Sequence, residues 1–600
     1  MTPGTRSAIG SAALFAVVLV TGVFALSWGS IGIGFGDALH ALAGNGDPAT
    51  VQIVTGLRLP RVATAIVAGG ALGLGGVLMQ ALFRNPMADA WSLGLTAGGQ
   101  LGVALLVTAA AFSGPEAIAF LRAFEGPSIT LGAMIGIGGF ALAMASLARR
   151  VGTVTLLVVG LMLGFTVQGI VSVVLHFANR VGGRVFSGWN DGNFATVTPA
   201  DLPMLVVPVA AGAALALFNA KPLTALLLGE TYARSLGTDV ARLRRLTLAA
   251  VVLLVAPVTA YCGPVTFVGL IVPHLARAIA RTARIFTADA ARRAGGGAAG
   301  ADGGPRRPCA VGTAFPAPQR GARVGRRAGG DRAAGLLADD AGTALMLRLD
   351  TLSVGYGAPR GTVLADLAVT VPPGSFVCVL GRNGAGKSTL MRTIAGLQRA
   401  VAGAALLEHA DIAAMRPQTR AQQVAVVLTE RAASPGLSVD DVVSLGRQPF
   451  TGWQGRLTPD DRQRIVAALA RAGATAFATR LFDDLSDGER QRVMIARAIA
   501  QSPRLMILDE ITAFLDLPGR VETMALLRDH ARATGGIVLL SSHDLDLSLQ
   551  LADSVWLLDG HGGMAVGSAA DLIAAGHVGR AFDTAAVRFS PALGRFELVA

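Results

Sequence analysis

The sequence predicts two unlike parts in one chain: an N-terminal all-α domain of several membrane spans, then a C-terminal α/β domain of the P-loop type. Three observations predict this. Residues 8–283 carry repeated apolar segments long enough to cross a bilayer as helices. Gly381–Thr389 reads GRNGAGKST directly after the short apolar run SFVCVL. Pro503–Glu510, PRLMILDE, is a second apolar run that ends in two carboxylates.

The bulk properties agree. A chain of 600 residues exceeds one ordinary core. Its residues are 52% hydrophobic and only 15% charged, with a mean hydropathy of +0.55, which marks a protein that is in part a membrane protein. The net charge of +12 and pI near 10.9 do not point to nucleic acid, because no basic patch interleaves with aromatics. The arginines fall between apolar segments and in a central stretch, where they act as topology signals or solvated charge. Cys262, Cys309 and Cys378 are far apart without metal spacing, so neither a disulfide framework nor a zinc site is expected.

SAIGSAALFAVVLVTGVFAL near the N-terminus reads as an uncleaved first span rather than a signal peptide, since further spans follow. About eight spans are expected, near 8–28, 61–83, 92–112, 128–148, 153–178, 202–220, 245–262 and 264–282. Small residues crowd them, as in VAGGALGLGGVLMQ, which predicts close helix-on-helix packing. With the N-terminus inside, cytoplasmic loops hold Arg84, Arg149, Arg150, Lys221, Arg234, Arg242, Arg244 and Arg245, and the eighth span ends inside near Arg277, Arg281 and Arg284. Arg58, Arg61, Arg122, Arg180 and Arg184 lie outside, so the bias favours a cytoplasmic exit.

Three phrases in this half carry more than hydropathy: GLRLPR with RNPMADAWSLG, then LLLGETYARSLG, then GPVTFVGLIVPHLAR. Together, in this order, they resemble the permease family of bacterial importers for iron-siderophores, haem and cobalamin, over roughly residues 1–280. The resemblance implies a type II importer permease that works as a pair. It implies a cytoplasmic loop that couples to an ATPase through Glu230, Ala233, Arg234 and Gly237. It also implies that Arg58 and Arg61 face a periplasmic substrate-binding protein. His274 reads as a packed helix-end residue, since a lone histidine has no partner ligands in this segment.

In the second half, the glycines Gly381, Gly384 and Gly386, with Asn383, let backbone N–H groups wrap phosphates. Lys387 neutralises phosphate charge, the Ser388 hydroxyl ligates Mg²⁺, and the helix that begins at Lys387 and carries Thr389 points its positive end at the anion. Asp509 fits an Mg²⁺-organising role, and Glu510 one that orients or deprotonates the attacking water. LSDGERQRVMIARAIA, from Leu485, resembles the signature motif of ABC ATPases. That resemblance covers 346 to about 590. It implies that Ser486 and Gly488 face the γ-phosphate of a second copy, Tyr356 stacks on adenine, Asp516 lies in the D-loop and His543 is the switch histidine. Thr429, with Glu430 next, stands where the family usually has a Q-loop glutamine, and its hydroxyl has a shorter reach to Mg²⁺ or water.

The domains are therefore expected as 1–284 permease, 285–345 low-complexity linker and 346–600 nucleotide-binding domain. Residues 285–345 are rich in Ala, Gly, Arg, Pro and Asp and hold no spanning run, so they cannot bury enough surface to fold alone. An evolved linker, a small regulatory domain and out-of-frame translation are the alternatives. The last is favoured because the family's final two helices are missing at that point and Met346 reads as a native start. The whole implies ATP-driven import of an iron-siderophore across the bacterial inner membrane, with the ATPase domain cytoplasmic. Haem or cobalamin import, or a non-transporting fusion that keeps only ATPase activity, are the alternatives. ATP and Mg²⁺ are the expected cofactors. The expected partners are a second copy or separate permease and ATPase subunits, a periplasmic binding protein and membrane lipid, with no nucleic acid.

Overall fold

The computed structural model describes residues 3–91, 93–113, 116, 125–147, 151–178, 180–280, 346–357, 361–429, 436–584, 586–591 and 595–598. Arg122, Arg149, Arg150, Arg281, Arg284, Cys309, Glu430 and the stretch 285–345 lie outside them.

The apolar half forms helices α1 (Pro3–Ser27), α2 (Leu59–Phe83), α3 (Leu95–Phe112), α4 (Glu125–Leu147), α5 (Thr153–His176), α6 (Leu202–Leu227), the short α7 (Glu230–Ser235), α8 (Val240–Cys262) and α9 (Val268–Ala280). Among the described residues, Pro48–Phe83, Ser128–Leu147, Val154–His176, Leu202–Leu227 and Val240–Cys262 are long and apolar enough to cross a membrane, and Phe15–Ser27 and Leu95–Ala110 are shorter apolar helices.

Two expectations need correction. The span expected from residue 61 begins much earlier. Helix Pro48–Gln52 runs through a π-helical turn, Ile53–Arg58, into α2, so Arg58 and Arg61 sit on a continuous helix rather than in a loop. The wider turn accommodates Pro60, which has no amide to donate. Within the span expected at 264–282, the described helix begins at Val268 rather than at 264 and runs to Ala280, beyond which the residues lie outside those described. Gly263, at φ +75°, closes α8, and Phe267, at φ +66°, turns the chain before α9, so the intervening residues are not helical.

Small residues set the helix spacing. Gly98 and Gly102 of α3 face Gly132 and Gly136 of α4, four apart on each helix, and a Cβ on Gly102 would overlap the Gly132 carbonyl oxygen. Gly76 of α2 meets the Gly269 carbonyl of α9 in the same way. Without a hydrophobic drive between helices in lipid, such close approach supplies the packing energy.

The second half places two sheets together. One is antiparallel, in the order β2 (Gly361–Val371), β1 (Leu347–Gly357), β4 (Ala402–Leu407), β5 (Ala410–Asp411). The other has the order β10 (Met564–Gly567), β9 (Ser554–Leu558), β3 (Phe376–Leu380), β8 (Ile537–Ser541), β7 (Leu505–Asp509), β6 (Val424–Val427). It is parallel from β9 to β6, and every residue of β3, β6, β7 and β8 is buried, as their continuous apolar runs require. Helix α10 (Lys387–Ile394) follows β3, α11 (Pro417–Gln423) precedes β6, and α12 (Asp487–Ala500) and α13 (Leu517–Thr534) flank β7. The loops at the carboxyl ends of β3, β7 and β8 therefore meet in one crevice.

Gly102→Leu should force α3 and α4 apart and destabilise the domain by about 1–3 kcal/mol, the usual cost of overpacking. A lowered thermal midpoint in detergent checks it. Gly138→Leu, on α4 with open space at its Cβ position, should leave the midpoint unchanged.

Candidate nucleotide site and domain contact

The turn after β3 winds back on itself through positive φ at Gly381, Gly384 and Gly386. At Gly386, φ is +100° and a Cβ would stand 2.6 Å from Val363 Cγ1, so both backbone and space demand glycine there. Lys387 is buried, and its Nζ donates to the carbonyls of Gly381 (2.9 Å) and Arg382 (3.3 Å). Burial pushes its ammonium below the usual lysine range, against the opposing pull of the Glu510 and Asp509 carboxylates. Ser388 is partly accessible beside it, and Asn383 is exposed on the turn. Thr389 is buried, with its hydroxyl 3.1 Å from Tyr356 Oη at the end of β1, and the Tyr356 ring stays half exposed.

Asp509 ends β7 and Glu510 follows it directly, at the end of the apolar run as the sequence places them. Asp509 is buried and accepts from Ser541 Oγ at 2.6 Å. The Glu510 amide donates back to Ser541 Oγ at 2.9 Å, so one serine of β8 orients both acids. Glu510 holds φ +52°, an unfavourable region for a non-glycine residue, and its carboxylate lies between His543 and Lys387. Oε1 is 2.8 Å from His543 Nε2 and 3.8 Å from Lys387 Nζ. Thr429, just past β6, donates its hydroxyl to the Asp509 carbonyl at 3.0 Å, so it reaches the acidic strand through main chain.

The signature residues lie apart from this group. Ser486 caps α12 in a reciprocal pairing with Glu489. Ser486, Gly488 and Asp516 line an open cleft of about 520 Å³ with Phe514 and Leu515, and no residue of the phosphate loop lines it. Asp516 caps α13 by accepting from the Gly519 amide at 3.1 Å.

The membrane domain meets the α/β domain through α6 and the loop around α7. Glu230 and Arg234 form an ion cluster on the membrane-domain side: Glu230 pairs with Arg234 (3.7 Å) and with Arg244 of α8 (3.0 Å), which also donates to the Val151 carbonyl. Ala233 is buried. Gly237, at φ +87°, brings its backbone onto α11, where a Cβ would stand 3.0 Å from Gln418 Cα. Residues to which the sequence reading gave no contact role complete the contact. Tyr232 is buried, with its hydroxyl 3.0 Å from both the Leu428 amide and the Leu428 carbonyl. Lys221 donates to the Thr451 and Gly452 carbonyls, and Phe218 stacks on Trp453 with ring centroids 5.7 Å apart. Tyr232 lies inside the quoted LLLGETYARSLG, but only the fold shows that its hydroxyl has main-chain partners.

At the other end, Arg58 donates to the Leu26 and Ile31 carbonyls, which ties α1 to α2, whereas Arg61 is exposed. His274 sits with Nδ1 2.9 Å from the Leu270 carbonyl of its own helix.

Known proteins match both halves. Residues 17–289 match the FecCD transport family, and residues 364–513 match the ABC transporter family. An ABC transporter ATP-binding protein of Methanocaldococcus jannaschii is 37% identical over 253 residues, 42% of this chain and 87% of that protein. The iron(3+)-hydroxamate import ATP-binding protein FhuC of Bacillus subtilis is 37% identical over 200 residues, 33% of this chain and 74% of that protein. The hemin import ATP-binding protein HmuV of Bordetella bronchiseptica is 36% identical over 247 residues, 40% of this chain and 91% of that protein. The chain thus belongs to the ABC transporters, with a membrane domain of the FecCD transport family and an ABC-type ATPase domain in one polypeptide.

Proposed function

We propose that the chain imports an iron chelate of the siderophore class across the bacterial inner membrane, driven by ATP hydrolysis on its cytoplasmic side. Haem and cobalamin are the alternative cargoes. The observation that carries this reading is the seat of Tyr232 on Leu428, one residue before Thr429, which joins the membrane domain to the ATP site. Relatives named for iron(3+)-hydroxamate and hemin import support the cargo class.

In this reading the amides around Gly381, Asn383, Gly384 and Gly386, and the start of α10 through Thr389, hold the phosphates, while Tyr356 stacks on adenine. Lys387 balances phosphate charge. The Ser388 hydroxyl and the Asp509 carboxylate are hard oxygen donors that fit Mg²⁺, with Thr429 close to them, and the ion would offset phosphate charge there. Glu510 orients or deprotonates the attacking water, and His543 steadies that carboxylate and meets the γ-phosphate. Ser486, Gly488 and Asp516 serve the phosphates of a second copy, or of a separate ATPase subunit. Exposed Phe514 and Leu517 beside their cleft support such a pairing. A periplasmic binding protein docks at Arg61, with Arg58 shaping the base of that surface. Glu230, Arg234 and Gly237 set the loop that transmits closure of the ATPase pair.

We further propose that residues 285–345 are translated out of frame. The match to the FecCD family ends at 289, and the composition changes there. Reading the gene in its other frames should show two apolar stretches of about 20 residues and a stop close to Met346. Their absence leaves an evolved linker. A chain that lacks those helices can hydrolyse ATP without transport, which is the competing outcome of an uptake assay with ferric hydroxamate in membrane vesicles.

Glu510→Gln should lower ATP turnover by roughly 10²–10⁴-fold, as for loss of a general base, with nucleotide binding retained. Lys387→Ala should weaken binding itself. Turnover and nucleotide titration on the purified chain check both, and near-normal turnover in Glu510→Gln contradicts the assignment.

A further inference from the structure

Among the described residues, strand β6 is the edge of its sheet and pairs only with β7, up to Val427 opposite Leu508. Leu428 lies one residue past that register, and it is buried. Its amide and carbonyl are therefore buried main-chain groups beyond the last rung of the ladder, and such groups must be paired. The Tyr232 hydroxyl accepts from the one and donates to the other, each at 3.0 Å. A single phenol thus replaces a neighbouring strand. Its ring lies under the guanidinium of Arg497, 5.3 Å from the ring centroid, and Arg497 also donates to the Val426 carbonyl. Arg497 belongs to α12, whose first turn carries the signature residues. It is fully buried, and burial pushes its guanidinium down to about 10.

From Leu428 the path continues without a break. The next residue, Thr429, donates to the Asp509 carbonyl. Ser541 then ties the Asp509 carboxylate to the Glu510 amide.

We infer that Tyr232, a residue of the membrane domain, is a positioning residue for ATP hydrolysis. It fixes the Leu428 peptide so that the Thr429 hydroxyl holds the Asp509–Glu510 turn, and through Arg497 it registers the signature helix against the same point. This rests on the reading of Asp509 and Glu510 as the hydrolytic acids, and it does not depend on the cargo. The shortened side chain at the Q-loop position fits the role: a threonine hydroxyl serves a fixed main-chain acceptor, where a longer amide would not be needed.

The test is ATP turnover by the full chain in lipid nanodiscs, without cargo. Tyr232→Phe keeps the ring and removes only the hydroxyl. It should lower kcat about tenfold with KM for ATP shifted less than about twofold. Thr429→Val should act likewise, and the double variant should be no slower than the slower single one, because both break one path. Hydrogen exchange at the Leu428 amide should accelerate in Tyr232→Phe. A kcat within about threefold of the parent, or losses that multiply in the double variant, overturns the proposal. If Tyr232→Phe does not fold, Arg497→Lys takes its place, since an ammonium cannot both cover the ring and reach Val426. A kcat lowered about threefold or more at unchanged KM supports the path, and an unchanged kcat overturns it. A chain that hydrolyses ATP normally but takes up no ferric chelate contradicts the import reading and leaves this one standing. Normal turnover in Glu510→Gln removes the hydrolytic assignment itself.

Discussion

The pairing of the Tyr232 hydroxyl with both main-chain groups of Leu428 is the constraint on which the rest of the molecule turns. A buried donor or acceptor left without a partner costs about 1–3 kcal/mol, so the edge of the ATPase sheet is not complete until the membrane domain supplies that phenol. The surrounding contacts hold it in register. Gly237 lets the loop lie on α11, Lys221 caps two carbonyls of the 451–452 segment, and Phe218 stacks on Trp453. Glu230, held by Arg234 and by Arg244 of α8, ties α7 to its own domain.

The ATP site follows from parallel-sheet geometry. Strands β3, β7 and β8 are buried throughout, and their carboxyl ends deliver the glycine-rich turn, the paired acids and Ser541 to one crevice. The backbone strain at Glu510 is held by Ser541 and by the contact with His543. The signature residues face a different cleft, which is the physical basis for the proposal that a second ATPase domain completes the site.

Much of this was legible in the sequence because the features are local. GRNGAGKST, PRLMILDE and the capped start of α12 declare their geometry through glycine placement, strand polarity and a serine three residues before a glutamate. Apolar runs located most of the membrane helices. They misplaced the starts of two helical segments because hydropathy measures transfer to lipid, whereas the helix leading into α2 starts at the Asp47 cap and Pro48, and α9 starts after the turn at Gly263 and Phe267. The contact loop shows the same limit. Its charged residues Glu230 and Arg234 stand out in the sequence, yet their ion pairs lie within the membrane domain, and the uncharged Tyr232 and Gly237 reach across. The partners of Tyr232 and Arg497 are main-chain carbonyls and amides nearly two hundred residues or some seventy residues away, which no local pattern encodes.

The most direct measurement of this account joins the two domains covalently where they meet. A Cβ on Gly455 would stand 3.9 Å from Lys221 Cβ, within disulfide range. With Cys309 replaced by serine and a protease site placed within 285–345, the Lys221→Cys/Gly455→Cys chain is oxidised in membranes, cut and run on a non-reducing gel. The account predicts that the two halves stay together until reductant is added, and that either single cysteine lets them separate. Halves that separate in the double variant, from a chain that still binds ATP, would contradict the domain contact on which the coupling rests.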